Sequence, residues 1–112
     1  MIKPVAPRAA AKRDAVQIVS DYVDQAGIDV ALRFVDELED GYRLIGDNPG
    51  AGSSRHGLML DIPSLRSWRV RGVPHLIFYV ERADVLDVWR ILHGKSDVPA
   101  TLADAEDTDE DR

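Results

Sequence analysis

The sequence predicts an α+β protein in which an N-terminal helical hairpin packs on one face of a small antiparallel β-sheet. Two stretches in the first half carry apolar residues at helical spacing, while the second half holds short runs rich in Val, Ile, Leu and aromatics, separated by turn residues. Helices first and strands later is the α+β order.

Lys3 to Pro7 is partly β-branched and interrupted by Pro4 and Pro7, which suits an edge strand or an extended arm. From Arg8 to Ala26, the residues Ala15, Ile18, Val19, Tyr22 and Ala26 recur at the steps of one helical face, with Lys12, Arg13, Gln17, Asp21, Asp24 and Gln25 elsewhere. This predicts an amphipathic helix closed by Gly27. Asp29 is placed to cap a second one, in which Ala31, Phe34, Val35, Leu38, Tyr42 and Ile45 repeat the stepping up to the breaker run Gly46 to Gly50. Gly41 inside it costs about 1 kcal/mol relative to alanine or marks a close packing point. So short a link forces the helices antiparallel, with one shared apolar face to cover.

The glycine-rich loop from Gly50 to Gly57 is expected to be mobile. Leu58 to Ile62, Leu65 to Val70, Pro74 to Val80 and Val85 to Leu92 read as strands. Arg71 to Pro74 and Glu81 to Asp84 read as turns, so the last three segments form a meander. The sheet face away from the helices is expected to stay partly open and to invite a partner.

A chain of 112 residues suffices for one domain, assigned to residues 1–103. Without cysteine there are no disulfides, thiolate metal sites or cysteine nucleophiles. The net charge of −6 is unevenly spread: residues 104–112 hold six acids and one base, residues 1–103 hold 14 acids and 13 bases. The tail is read as a disordered solubilising end or, alternatively, as a nucleic-acid mimic lying over a cationic face. Such a face is available in the second half, where Arg55, Arg66, Arg69, Arg71, Arg82, Arg90 and Lys95 gather. No apolar run has the length of a signal-peptide core or a membrane span, so a cytoplasmic protein without membrane association is expected. No metal is expected, since His56 and His75 lack ligand spacing. No cofactor is expected either, because Gly50-x-Gly52 is not a phosphate-cradling loop.

The run Leu65-Arg66-Ser67-Trp68-Arg69-Val70-Arg71-Gly72-Val73-Pro74-His75-Leu76-Ile77-Phe78-Tyr79 resembles the strand, G-x-P turn and L-I-F-Y strand of ParE toxins, the ParE branch of the RelE/ParE superfamily. Trp89-Arg90-Ile91-Leu92-His93-Gly94-Lys95-Ser96-Asp97 is similar to that family's closing strand. Ala31, Phe34, Leu38 and the loop Asn48 to Gly52 match its second helix and loop more loosely. The resemblance covers roughly residues 8–97. Departures are Arg69 in a slot often filled by proline, Trp89 beside Arg90, and the acidic tail.

This resemblance implies the toxin of a type II toxin–antitoxin system, neutralised by a ParD-like antitoxin of the ribbon-helix-helix type whose C-terminal segment wraps across the helices and sheet. It implies a heterotetramer or larger assembly that meets operator DNA only through the antitoxin, and DNA gyrase as target, trapped at its DNA cleavage intermediate without covalent chemistry by the toxin. RelE-like relatives on the same fold cut mRNA on the ribosome, so fold alone leaves the activity open. The alternatives are that nuclease, with Arg66, Arg90 and His93 as its catalytic set, and a decayed toxin that only binds its antitoxin as a co-repressor. The scarcity of lysines (Lys3, Lys12 and Lys95) and of a C-terminal tyrosine counts against the nuclease.

Arg66, Trp68, Arg69, Arg90 and His93 are the candidate antitoxin- or target-binding residues. Each has a plainer reading beside the functional one. Trp68 and Trp89 suit core packing, Arg66 and Arg90 suit pairing with carboxylates such as Glu37 or Asp87, and His93 suits capping of a strand end.

Overall fold

The computed structural model describes residues 2–107, and side chains up to residue 102. The chain enters as a short strand, β1 (Val5–Pro7), and turns at Arg8 into two long helices, α1 (Ala9–Ala26) and α2 (Ile28–Asp47). A 3-10 turn (Pro49–Ala51) and a short helix α3 (Arg55–Met59) lead into the meander β2 (Leu65–Arg69), β3 (His75–Glu81) and β4 (Leu86–His93). A last helix, α4 (Val98–Asp107), follows.

Gly27 alone links the two long helices. Its φ of 94° lies in the region open to glycine, and its N–H closes α1 on the Val23 carbonyl. Asp29 is therefore not the cap expected of it. It sits inside the first turn of α2, which has no side-chain cap, where its charge still suits the helix dipole. Gly41 is a close packing point: a Cβ there would stand 3.2 Å from the Ile77 Cδ1 and 3.6 Å from the Trp68 Cδ1.

The sheet order is β1-β4-β3-β2. Its meander is antiparallel as expected, but β1 adds in parallel to β4, with Val5 opposite Leu86 and Pro7 opposite Val88, so the sheet is mixed. An edge position tolerates the missing N–H of Pro7. Register shifts between Phe78 and Tyr79, leaving Trp89 as the extra residue of a β-bulge in β4. The bulge resets the alternation of β4: Leu86, Val88 and Ile91 join the core beneath the helical hairpin, while Trp89 and Leu92 join a second core on the opposite face.

That opposite face is not open. Leu65, Phe78, Val80, Trp89 and Leu92 are covered there by Leu60 and Ile62 from the α3 region and by Val98 and Leu102 of α4. Two departures from expectation produce the cover. Residues 58–62 form the end of a helix and a turn rather than a strand, because Gly57 lies against the Ile62 and Leu65 carbonyls and Asp61 takes φ 60°. Helix α4, absent from the sequence reading, starts behind Asp97, whose carboxylate accepts the Ala100 N–H at 3.3 Å. Its backbone continues to Asp107, into the acidic run, and residues 108–112 lie outside the described residues. The loop expected to be mobile is pinned as well. The buried Tyr79 hydroxyl donates to the Pro49 carbonyl at 2.8 Å and accepts the Gly52 N–H at 3.0 Å.

Helix α1 is fixed to the sheet by one carboxylate. Asp14 accepts Arg90 Nε at 2.7 Å and Nη2 at 2.8 Å, and also the Ile91 backbone N–H at 2.9 Å. This N–H lies on the edge of β4 beyond the last residue paired with β1. Both side chains are largely shielded, at 25% and 14% exposure for Arg90 and Asp14. Asp14→Ala is expected to lower the unfolding free energy in urea by about 2–3 kcal/mol, because a guanidinium and a backbone donor lose their acceptor together. Asp14→Asn, which keeps an acceptor oxygen, is expected to lose less.

Candidate partner-binding site

A broad apolar opening lies between the two long helices on their outer side. Val16, Ala15 and Val19 of α1 face Val35, Leu38 and Tyr42 of α2 across a groove of about 400 Å³, floored by Phe34 and rimmed by Glu39. Its existence follows from the helical stripes, which are wider than the sheet beneath can cover: Val16 is 70% exposed. Burial, with Asp14 nearby, pushes the Tyr42 hydroxyl up to about 12, so it is a neutral group in the groove wall. An amphipathic helix laid in such a groove buries its own apolar side chains on these residues.

The residues singled out in the sequence are spread over β2 and β4 and engage different neighbours. Arg66 on β2 donates to the Gly52 carbonyl at 2.8 Å. Arg90 on β4 is clasped by Asp14 rather than by Asp87, which raises its affinity for the proton further. Strand β3 lies between the two. His93 is at the far end of β4 opposite His75, and its Nδ1 accepts the Lys95 N–H at 3.0 Å, as a strand-end cap does. Arg66, Arg90 and His93 thus each engage a different partner. Trp89 is a core residue, 4% exposed, its Nε1 donating to Asp87 and its ring carrying the Arg8 guanidinium at 4.7 Å. Trp68 is half-buried against Gly41, and Arg69 is exposed. Asp87 gathers Arg8 and Arg82 as well; burial acts to raise its pKa, but the hydrogen bonds from Arg8 and Arg82 outweigh this and hold it below the usual carboxylate range.

Two features escaped the sequence reading. Asp14 stands one step from Ala11 and Ile18 along the buried stripe of α1, and an acid in that position is a legible sign of a buried cation partner. His75 and His93 meet edge to face, ring centroids 5.3 Å apart, in a second cleft of about 330 Å³ with Asp21, Tyr22 and Gln25 of α1. Only the pairing of β3 with β4 puts them together. Among the described residues no group of three or more potential ligands could hold a metal.

The family model for the ParE toxin of the type II toxin–antitoxin system parDE matches residues 5–98. The chain belongs to the ParE toxin family. Among solved structures it is similar to the chain described as "Chromosomal ParDE TA system from P. aeruginosa", with a TM-score of 0.69 and 19% identity over 82% of this chain and 96% of that one. At that identity the likeness shows the fold. No curated protein sequence matches the chain. In this ParE-family chain the matched region spans both helices of the groove and all four strands. No helix among the described residues is long and apolar enough to cross a membrane.

The histidine cleft generates a pH dependence. Burial first, and the neighbouring His93 second, hold His75 below the ordinary histidine range; its buried Nδ1 has no hydrogen-bond partner among the described residues. Because the unfolded chain takes up this proton near pH 6.5 and the folded chain only at lower pH, the stability due to neutral His75 is complete above about pH 6.5 and falls as pH drops below it. His56, held down by burial and by Arg55, acts in the same direction. Thermal midpoints measured from about pH 7.5 down to about pH 5 are expected to fall in the lower part of that range, and less steeply for His75→Phe, which keeps the ring contacts with Tyr22 and Phe34 and cannot titrate.

Proposed function

We propose that this chain is a toxin that inhibits DNA gyrase by binding it, without covalent chemistry of its own, and that a ParD-like antitoxin neutralises it in the cytoplasm. The observation that carries the reading is the family match over residues 5–98, taken together with the dispersal of the one cluster the alternative required. Ribonuclease chemistry of the RelE kind needs a base, an acid and a cation converging on one phosphate. Here Arg90 is committed to Asp14, and Arg66 and His93 sit on different strands.

The antitoxin, a ribbon-helix-helix protein, is proposed to place an apolar helical face in the groove between α1 and α2 and to continue toward the sheet, where Arg66, Trp68 and Arg69 offer charge and an indole. Arg90 and His93 are proposed to act through position: Arg90 fixes α1, and His93 borders the cleft at the end of the sheet. Dimerisation of the antitoxin gives a heterotetramer or larger assembly, joined to operator DNA only through the antitoxin.

Protein freed of its antitoxin is expected to convert supercoiled plasmid to linear DNA only when gyrase is present, and to leave a defined mRNA intact on translating ribosomes. Cleaved mRNA with unaffected gyrase would transfer the function to a ribosome-dependent nuclease. Retained antitoxin binding with neither effect would identify a decayed toxin acting as co-repressor. Val16→Glu, at an exposed groove position, is expected to weaken antitoxin binding about tenfold or more in calorimetry while leaving the thermal midpoint unchanged. Unaltered affinity would remove the groove from the antitoxin interface.

A further inference from the structure

Charge in this protein is sorted along the chain, and the fold gathers the basic stretch at one edge of the sheet, bordered by Glu37 and Asp40 of α2 beside Trp68 and Arg71. Nine acids precede residue 48 and six follow residue 103, whereas residues 48–80 contain one acid, Asp61, and four arginines. Those residues build α3, β2 and β3. Since β3 is internal to the sheet, the arginines fall on its β2 edge and on the flanking segments: Arg55 opens α3, Arg66 and Arg69 lie on β2, and Arg71 lies in the turn after it. Arg55, Arg69 and Arg71 are exposed, and none of the four forms an ion pair among the described residues. The pairs that do form engage Lys3, Arg8, Arg43, Arg82 and Arg90.

We propose that this β2 edge binds the phosphodiester backbone of duplex DNA, with Arg55, Arg66, Arg69 and Arg71 as the phosphate-contacting residues. The inference rests on the reading of the chain as a protein that acts on a DNA-bound enzyme, and it adds a direct contact between the toxin and the DNA. Side chains leave an edge strand on both faces and so flank the edge. At about 3.3 Å per residue, Arg66 and Arg69 are separated by about 10 Å along it, a row that follows a charged backbone rather than a single anion.

An acidic peptide fits the edge less well. Strand addition needs an unbroken run of open backbone groups, and the run is interrupted at its middle and start: Ser67 exchanges both of its outward bonds with Ser53, at 2.8 and 2.9 Å, and the Leu65 N–H is taken by the Ile62 carbonyl. Single-stranded nucleic acid fits less well too, because it is held largely by base stacking on exposed rings. The one indole on this edge, Trp68, is committed to packing against Gly41 and Ile77. What remains is guanidinium chemistry aimed at phosphates, which positions a protein on duplex DNA without reading its sequence.

The test uses the full-length protein free of antitoxin, and the variant Arg55→Gln/Arg69→Gln/Arg71→Gln, whose substitutions are all at exposed positions. Fluorescence anisotropy with a labelled duplex of about 20 base pairs, at about 50 to 200 mM salt, reads affinity and its salt dependence. The expected result is wild-type binding with a dissociation constant of about 1–100 µM at low salt and a log–log salt slope of about −3; the variant should lose at least about tenfold in affinity and most of the slope. Circular dichroism and the thermal midpoint should be unchanged. Absence of wild-type binding, or equal binding by the variant, overturns the proposal. So does tighter binding of a single-stranded RNA of equal length, or a variant that loses antitoxin binding while keeping the duplex. Gyrase-dependent linearisation is scored in parallel: if duplex binding depends on the arginines and gyrase is unaffected, the DNA contact stands and the gyrase reading falls.

Discussion

A carboxylate placed in the apolar stripe of a helix must be met by a cation and by donors, and much of this architecture follows from how Asp14 is met. Strand β1 covers only Leu86 to Val88 on the outer edge of β4, so the backbone donor of Ile91 is left open just beyond it. Arg8 turns the chain off that edge with its N–H on the Val88 carbonyl, and α1 then carries Asp14 to the open donor. The β-bulge at Trp89 supplies the second requirement by resetting β4 just before Arg90. One side chain therefore ties residues separated by 76 positions in sequence and sets where α1 lies on the sheet.

With α1 anchored, the one-residue link through Gly27 leaves α2 little choice but to return antiparallel, and the Gly41 notch seats it against Trp68 and Ile77. The hairpin buries its inner stripe and leaves its outer one in water. That division separates the surfaces in space: the apolar groove between the helices, the histidine cleft at one end of the sheet, and the arginine edge at β2.

The resemblance carried by Leu65 to Tyr79 and by Trp89 to Asp97 was readable because it lies in strands whose residues are fixed by local alternation and turn chemistry. The candidate site was less readable. Motif order did not give the partners of Arg66, Arg90 and His93; the strand order and the bulge send each to a different one. Asp14 was legible in principle as an acid inside a buried stripe. The pairing of His75 with His93 was not, since it depends on the register of two strands.

By itself the sequence determined the two amphipathic helices, the tight hairpin between them and the three meander strands, because each is specified by periodicity and punctuation within a few turns or residues. The short apolar run Leu58 to Ile62 carries no such period, and its helical outcome was decided by Gly57 packing against the Ile62 and Leu65 carbonyls. Likewise, the covering of the second sheet face by Val98 and Leu102, the parallel addition of β1, and the clasp between Asp14 and Arg90 were decided only by the tertiary structure. These are pairings of distant segments, whose energies depend on burial and on which polar groups remain unmet, quantities that exist only once the chain has closed on itself.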